Sequence, residues 1–499
     1  MFYYSTNHSA SRATLRDAVI RGLAEDRGLY MPEVIKQLPA SFWDEIADLT
    51  FQEVAYRVAD AFFGEDVPAD DLRRIVYDTL SFDTPVVHVE DNIYALELFH
   101  GPTLAFKDVG ARFMARLLQY FIHLLPASGG QEVNVLVATS GDTGSAVANG
   151  FLGVDGIHVY VLYPKGKVSP IQECQFTTLG QNITAIEVDG VFDDCQRLVK
   201  SAFMDADLNA HMRLTSANSI NVARFLPQAF YYFWAYAQMT RLAAGPSSNP
   251  SPVREGNDIT LGGIPSPLPN REGALVFCVP SGNFGNICSA LFGHVMGLPV
   301  KRFIAANNAN SVFYEYLQSG EYRPRPSIQT IANAMDVGDP SNFARILDLY
   351  SREDVLKKIG LSPIPSPVRE GSDNTSTDGI QSPLPNRGGV GGGAAFISGA
   401  TYSDDQIAET MRDCYARTGY ILDPHGACGY RALKEQLQPD EIGIFLETAH
   451  PAKFKDTVDR ILGIDLPIPE KLQAFMRGQK QSVPLSSDFA DFKAFLLSQ

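Results

Sequence analysis

The 499-residue sequence is long for a single hydrophobic core, and its 45% hydrophobic content supports two or three domains. A formal net charge of -16, with no long basic run to offset it, argues against nucleic acid or an anionic membrane as partner, so any anionic substrate must meet a locally positive site. No stretch approaches the length of a transmembrane span and the first residues lack an apolar leader core, so a cytoplasmic protein is expected.

Residues 1–80 carry helical periodicity in ATLRDAVIRGLAED and FWDEIADLTFQEVAYRVADAFFG around the loop RGLYMP, which predicts a helical N-terminal domain. From 81 onward the texture changes. IYALELF (93–99) has the alternation of a half-buried strand, and ARFMARLLQYFIHLL (111–125) has the recurrence of a helix. Strand-then-helix pairs follow: VNVLVATS with GSAVANGFLG, ITAIEVDG with FDDCQRLVKSAFMD, ALVFCVPS with GNICSALFGHVMG, and EIGIFLETA with KFKDTVDRILG. This alternation predicts an α/β catalytic region over 81–499, with mostly parallel sheets covered by helices on both faces and ligands beyond the carboxyl ends of the strands.

Two segments break the rhythm. Residues 246–273 and 362–393 are rich in Pro, Gly, Ser and Asn and resemble each other, with SPVREG and SPLPNR in both. Two copies cannot stack into a solenoid, and the segments hold too few large apolar residues for a core; they read as inserted surface loops rather than a proline-rich partner site. The six cysteines show no C-x-x-C spacing and the histidines no metal-ligand spacing, so reduced core thiols and no metal site are expected.

Lys107, in HGPTLAFKDVG (100–110), falls at the predicted strand-to-helix junction beside Leu104, Ala105 and Phe106. An ammonium group in apolar surroundings is destabilised unless paired or neutralised, and lysines of lowered pKa serve as bases or nucleophiles. Two bland alternatives stand beside this: a side chain that snorkels to solvent, or one paired with Asp108. A degenerate phosphate loop is excluded, because Phe106 and Asp108 replace the second Gly and the Ser/Thr that such a loop needs. ATSGDTGSA (138–146) and PSGNFGNICSA (280–290) each follow a strand and open a helix, offering backbone N–H groups to an anion.

Together these elements resemble the pyridoxal-phosphate enzymes of the tryptophan-synthase β-like fold (fold type II), and within them the threonine synthase family. SANSIN (216–221), ETAHPAKF (447–454), LYPKGKVSPIQECQFTTLG, NAMDVGDPSN and GLAEDRGLYMP extend the likeness to nearly the whole chain outside the two insertions. The GDTG sequence, with Asp142 where many related lyases carry Asn, favours this branch. The resemblance implies two doubly wound α/β subdomains behind the helical N-terminal domain, pyridoxal 5'-phosphate as cofactor, and conversion of O-phospho-L-homoserine and water into L-threonine and phosphate.

It further implies a Schiff-base lysine at Lys107 and a cofactor-phosphate cradle at Ser281, Gly282, Asn283, Phe284 and Gly285. Thr448 would face the pyridine nitrogen, with a helix N-cap as its alternative role. The substrate carboxylate would lie at Thr139, Ser140, Gly141 and Thr143. Candidates for the substrate phosphate are Arg112, Lys165, Lys167, Arg224 and Asn218. A monomer or homodimer acting on a small molecule is expected. A serine or threonine dehydratase or a phospho-lyase on the same scaffold is the neighbouring reading, and a non-catalytic cofactor-binding protein the distant one.

Overall fold

The computed structural model describes residues 1–124, 132–244, 274–358 and 396–499. The two proline-rich insertions lie outside them. Two parallel sheets organise the catalytic region. In the first, the strands Ile397–Thr401, Arg302–Asn307, Leu275–Pro280, Ile442–Glu447 and Ile93–Glu97 run parallel in that order, and Val86–Glu90 closes the edge antiparallel. The second is wholly parallel, in the order Val483–Ser486, Ile183–Asp189, Ile157–Pro164, Val133–Ala138 and Arg213–Ser216. Helices cover these sheets as the alternation predicts.

Three departures from the sequence reading have physical reasons. Ile93–Glu97 is a central strand, flanked on both sides, so its apolar residues are buried on both faces rather than one. The N-terminal region is helical but also holds a three-stranded antiparallel sheet of Ala13–Thr14, Phe2–Ser5 and Tyr30–Pro32, whose strands are too short for a period to show. The chain's tail returns to the second sheet as Val483–Ser486, an edge strand with only half-buried and exposed side chains, and the helix Phe489–Leu497 follows it.

Two central helices position the site. Ala229–Ala244 is apolar almost all round and buried over most of its length, so it can only be an internal helix. Its Tyr231 and Tyr232 hydroxyls donate to Asn286 Oδ1 at 2.6 and 2.7 Å, fixing the first turn of the helix Gly285–Val295. Among the described residues no helix is long and apolar enough to cross a membrane.

Candidate active site

Lys107 stands where the first sheet meets its neighbour. The segment leading to it is held to the chain that follows Ile442–Glu447: Phe106 N–H donates to Thr448 O at 2.9 Å and His450 N–H to Leu104 O at 3.0 Å, and Ala105 bridges Ala449. The helix Lys107–His123 starts at the lysine itself. Asp108 is turned away: its carboxylate accepts from Thr103 N–H at 2.9 Å and Thr103 Oγ1 at 2.6 Å, which excludes the pairing with Lys107. Nor does Lys107 snorkel to the outer surface; it is half-buried and lines a cavity. Desolvation pushes its pKa down to about 8, with Arg224 and Lys453 adding to the fall and Asp142 opposing it. The buried Arg224 also donates from Nη1 to the carbonyl of Lys107 at 2.7 Å.

The turn after Leu275–Pro280 forms the opposite wall. Ser281 is anchored by its N–H to Ala306 O at 2.8 Å and by its carbonyl, which accepts from Asn307 Nδ2 at 2.7 Å. Phe284 adopts a left-handed φ of 61° immediately before the helix Gly285–Val295, whose N-terminus has no side-chain cap. Both ends of the Asn283 side chain are engaged, by Ser219 Oγ at 3.0 Å and Ser341 N–H at 2.6 Å, so the turn offers an anion its backbone N–H groups. Gly282 packs so closely that a Cβ would lie 2.7 Å from Ala334 O. An uncapped helix N-terminus facing a cavity, with a partly neutral lysine across it, fits a phosphate-bearing aldehyde such as pyridoxal phosphate.

The third wall is the loop after Val133–Ala138. Thr139 Oγ1 accepts from Gly141 N–H at 2.9 Å and Gly144 N–H at 2.7 Å, folding the loop on itself. Gly141 takes a φ of 139°, and a side chain there would strike Gln172. Ser140 and Thr143 remain to line the cavity, together with Asn218, Arg224 and Thr448. Against this cavity lies a wider one of about 840 Å³ that shares Ala138, Gln196, Asn218 and Asn283 with it and is lined further out by Arg21, Arg27 and Lys200.

Six expectations need correction. Thr139 is buried behind the loop and shapes it rather than facing the cavity, and Gly141 is likewise behind the lining. Arg112 binds backbone carbonyls of the N-terminal domain, Thr79 O at 3.0 Å and Asp78 O at 2.7 Å, so it is a strut between domains. Lys165 and Lys167 are exposed and line neither described cavity. The cap role for Thr448 falls to His450, whose Nδ1 accepts from Ala452 N–H at 3.0 Å; this leaves Thr448 at the cavity wall.

The sequence reading missed His425. Its Nε2 accepts from Ala334 N–H at 3.1 Å, so the proton sits on Nδ1, which donates to Asp423 Oδ1 at 2.6 Å. This histidine holds the Asn333–Met335 turn against Gly282. The only signal was DPHG, an Asp before a proline-started helix, which reads as an ordinary cap.

Comparison with known proteins bears on the same residues. Residues 2–80 match the threonine synthase N terminus and 426–496 the threonine synthase C-terminal family. The chain is 40% identical over 497 residues to a threonine synthase of Haemophilus influenzae and 37% over 499 to that of Escherichia coli, with 100% of each chain covered. The chain belongs to the threonine synthase family. Among solved structures, threonine synthase from Escherichia coli matches at a TM-score of 0.81 and 36% identity, covering 100% of both chains. A threonine synthase from Brucella melitensis with pyridoxal phosphate bound matches at 0.80 and 32%, covering 99% and 98%. Diaminopropionate ammonia lyase from Escherichia coli, at 0.51 and 14% over 83% of this chain, shares the fold. Lys107 and both glycine-rich loops of this threonine synthase family member thus stand on the scaffold of its relatives.

Proposed function

We infer that Lys107, the Ser281–Gly285 turn and the Ser140–Thr143 loop carry the family's reaction in this chain, the conversion of O-phospho-L-homoserine and water into L-threonine and phosphate. The observation that carries this reading is a lysine of depressed pKa sharing one cavity with two glycine-rich anion loops from different sheets. Pyridoxal 5'-phosphate, which Lys107 would hold at its aldehyde and the backbone N–H groups of Gly282, Asn283, Phe284 and Gly285 at its phosphate, would supply an electron sink for the carbanions of the reaction; the Ser281 N–H is already given to Ala306 O, so Ser281 anchors the turn instead.

The chain's own groups do the rest. Ser140, Thr143 and the N–H groups of their loop bind the substrate carboxylate; Thr139 and Gly141 give that loop its shape. Lys107 would take the Cα proton and serve the proton transfers at Cβ and Cγ that accompany departure of phosphate from Cγ and addition of water at Cβ. Arg224 orients Lys107 through its carbonyl. Arg224 and Asn218 are the cavity-lining donors for the leaving phosphate; Arg112, Lys165 and Lys167 are not. Thr448 holds the pyridine nitrogen. The wider cavity, with Arg27 and Lys200 on its walls beside the Arg21–Glu25 ion pair, admits the doubly anionic substrate.

The division into a helical domain at 1–80 and a catalytic region at 81–499 accords with the extent of the N-terminal match. All six cysteines are free and five are buried, which supports a reducing, cytoplasmic setting, and the acidic charge supports a small-molecule substrate over nucleic acid. A monomer or homodimer is proposed, since no feature of the site calls for a partner residue. The test is incubation with O-phospho-L-homoserine, with phosphate and threonine quantified together, beside Lys107→Ala. Equal yields, absent from the variant, support the reading. Phosphate with 2-oxobutanoate instead makes the chain a phospho-lyase, and ammonia release from serine or threonine without phosphate makes it a dehydratase.

A further inference from the structure

Lys453 is a fully buried lysine outside the cavity lining. Its Nζ lies 2.6 Å from Asp142 Oδ1 and donates to Thr103 O at 3.0 Å. Asp142, also buried, accepts from Gln172 Nε2 at 2.9 Å through the same oxygen. The three elements joined here belong to different parts of the fold. Lys453 follows the strand Ile442–Glu447 of the six-stranded sheet, Asp142 opens the helix after Val133–Ala138 of the five-stranded sheet, and Thr103 lies on the segment that delivers Lys107. Neutral bonds from Ser169 Oγ to Lys453 O at 3.2 Å and from Gln175 Nε2 to Thr103 O at 3.0 Å run across the same junction. An asparagine at 142 could keep the bond from Gln172. It could not neutralise Lys453, and an uncompensated buried ammonium is strongly unfavourable.

We propose that Asp142 and Lys453 are a positioning pair for the reaction assigned above: their ion pair sets the substrate-carboxylate loop against Lys107 across the two sheets and balances the charge that Lys107 feels. The charged groups facing Lys107 from neighbouring elements are Asp142, Lys453 and Arg224, while Asp108 on its own helix is turned to Thr103. Asp142 favours a protonated Lys107 and Lys453 disfavours it, so each partner masks the other in part, Asp142 being the stronger. Removing one partner therefore moves the proton affinity of Lys107 in the direction of the charge that is left. A pair that served folding alone would weaken the fold in both variants without this opposition of sign.

The measurement is the pH dependence of Lys107 acetylation in the cofactor-free full-length chain, read by peptide mass spectrometry, with KM and kcat for O-phospho-L-homoserine taken on the holoenzyme. The wild-type midpoint is expected near 8. Asp142→Asn should lower it by about one pH unit and Lys453→Met should raise it by about one. The double variant should fall between the two single variants yet keep a KM at least about fivefold higher, because the loop has lost its anchor. Shifts of the same sign, or unmoved midpoints in folded single variants, overturn the charge balance. If either single variant fails to fold, the double variant decides: a wild-type KM in it overturns the positioning role. A wild-type chain that does not turn over O-phospho-L-homoserine defeats the assigned reaction and leaves the acetylation midpoints to be read on their own.

Discussion

Replacing Gly282 with alanine tests the cradle directly. The added Cβ would lie 2.7 Å from Ala334 O and 2.9 Å from Met335 Cα, both backbone atoms, so no flexible side chain can swing aside. The opposing turn is itself held: Ala334 N–H donates to His425 Nε2, and Asp336 at its end accepts from Thr330 N–H at 3.0 Å and Asn308 Nδ2 at 2.8 Å. Relief must come from the Ser281–Gly285 turn moving into the cavity, and overpacking of this kind costs about 1–3 kcal/mol. If the strain falls on the cofactor-binding state, affinity for pyridoxal phosphate drops roughly 5- to 150-fold. Titration of the cofactor-free variant by absorbance, with melting curves at zero and saturating cofactor, separates the two loci of strain. The cradle assignment fails if affinity stays within about twofold while the cofactor-free melting temperature falls, since the clash would then be a matter of folding only.

Lys107 gives a pH prediction. With its pKa near 8, about a tenth of it is neutral at pH 7 and about nine-tenths at pH 9, so reconstitution by the cofactor aldehyde should accelerate about tenfold over that range and then level off. A continued rise of about a hundredfold with no plateau would mean an ordinary lysine. The same depression loads the fold. The unfolded chain binds its proton up to a pKa of about 10.4, so protonating native Lys107 below pH 8 destabilises the native state, and that burden fades as pH rises from 8 to 10.4. Lys107→Met should therefore abolish turnover and yet stabilise the cofactor-free protein at pH 7 by up to about 3 kcal/mol, with the gain shrinking toward pH 10 in urea titrations. Arg112→Ala should lower stability by about 1–3 kcal/mol through the unmet carbonyls of Asp78 and Thr79 and leave KM within about twofold; a large KM effect with unchanged stability would restore it as a phosphate ligand. Deleting 246–273 or 362–393 should leave turnover within about twofold, as the closure entropy of long loops grows slowly.

The alternation of strands and helices and the small-residue turns after two of those strands were legible because both are local properties, carried by periodicity and by residues with few alternatives. Lys107 was legible for the same reason: a lone cation at an apolar strand-to-helix junction is anomalous within ten residues of sequence. The misplaced residues fail differently. Lys165 and Lys167 follow a strand at the same end as the loops of the site, and nothing local distinguishes a loop that turns inward from one that stays outside. Arg112 sits one helical turn beyond Lys107 and points to a domain whose docking no motif encodes. Val483–Ser486 has no buried side chain and hence no apolar pattern; it is a strand only because Ile183–Asp189 leaves an edge for it. The partner of Asp142 lies beyond the two insertions and most of the catalytic region, so GDTG and PAKF could each be recognised without their contact being visible.

That contact also bears on how a chain of net charge -16 draws in anions. At and behind the cavity wall stand Lys107, Arg224 and Lys453 against Asp142, Asp108 and Asp336, while His425 bonds to Asp423 and Ala334. Desolvation works against the charged form of two of these cations: Lys107 falls to about 8 and Arg224 to about 10. Asp336, pushed up by its own desolvation to about 6, is still mainly ionised at pH 7 and offsets at most one of them. A bound phosphate or carboxylate favours the charged forms of Lys107 and Arg224 directly. The site is therefore least stable when empty, and each anion that enters both gains a partner and restores the proton affinity of the groups that hold it. Low net charge overall keeps competing anions from the rest of the surface, so the attraction is confined to the one place where a lysine waits to react.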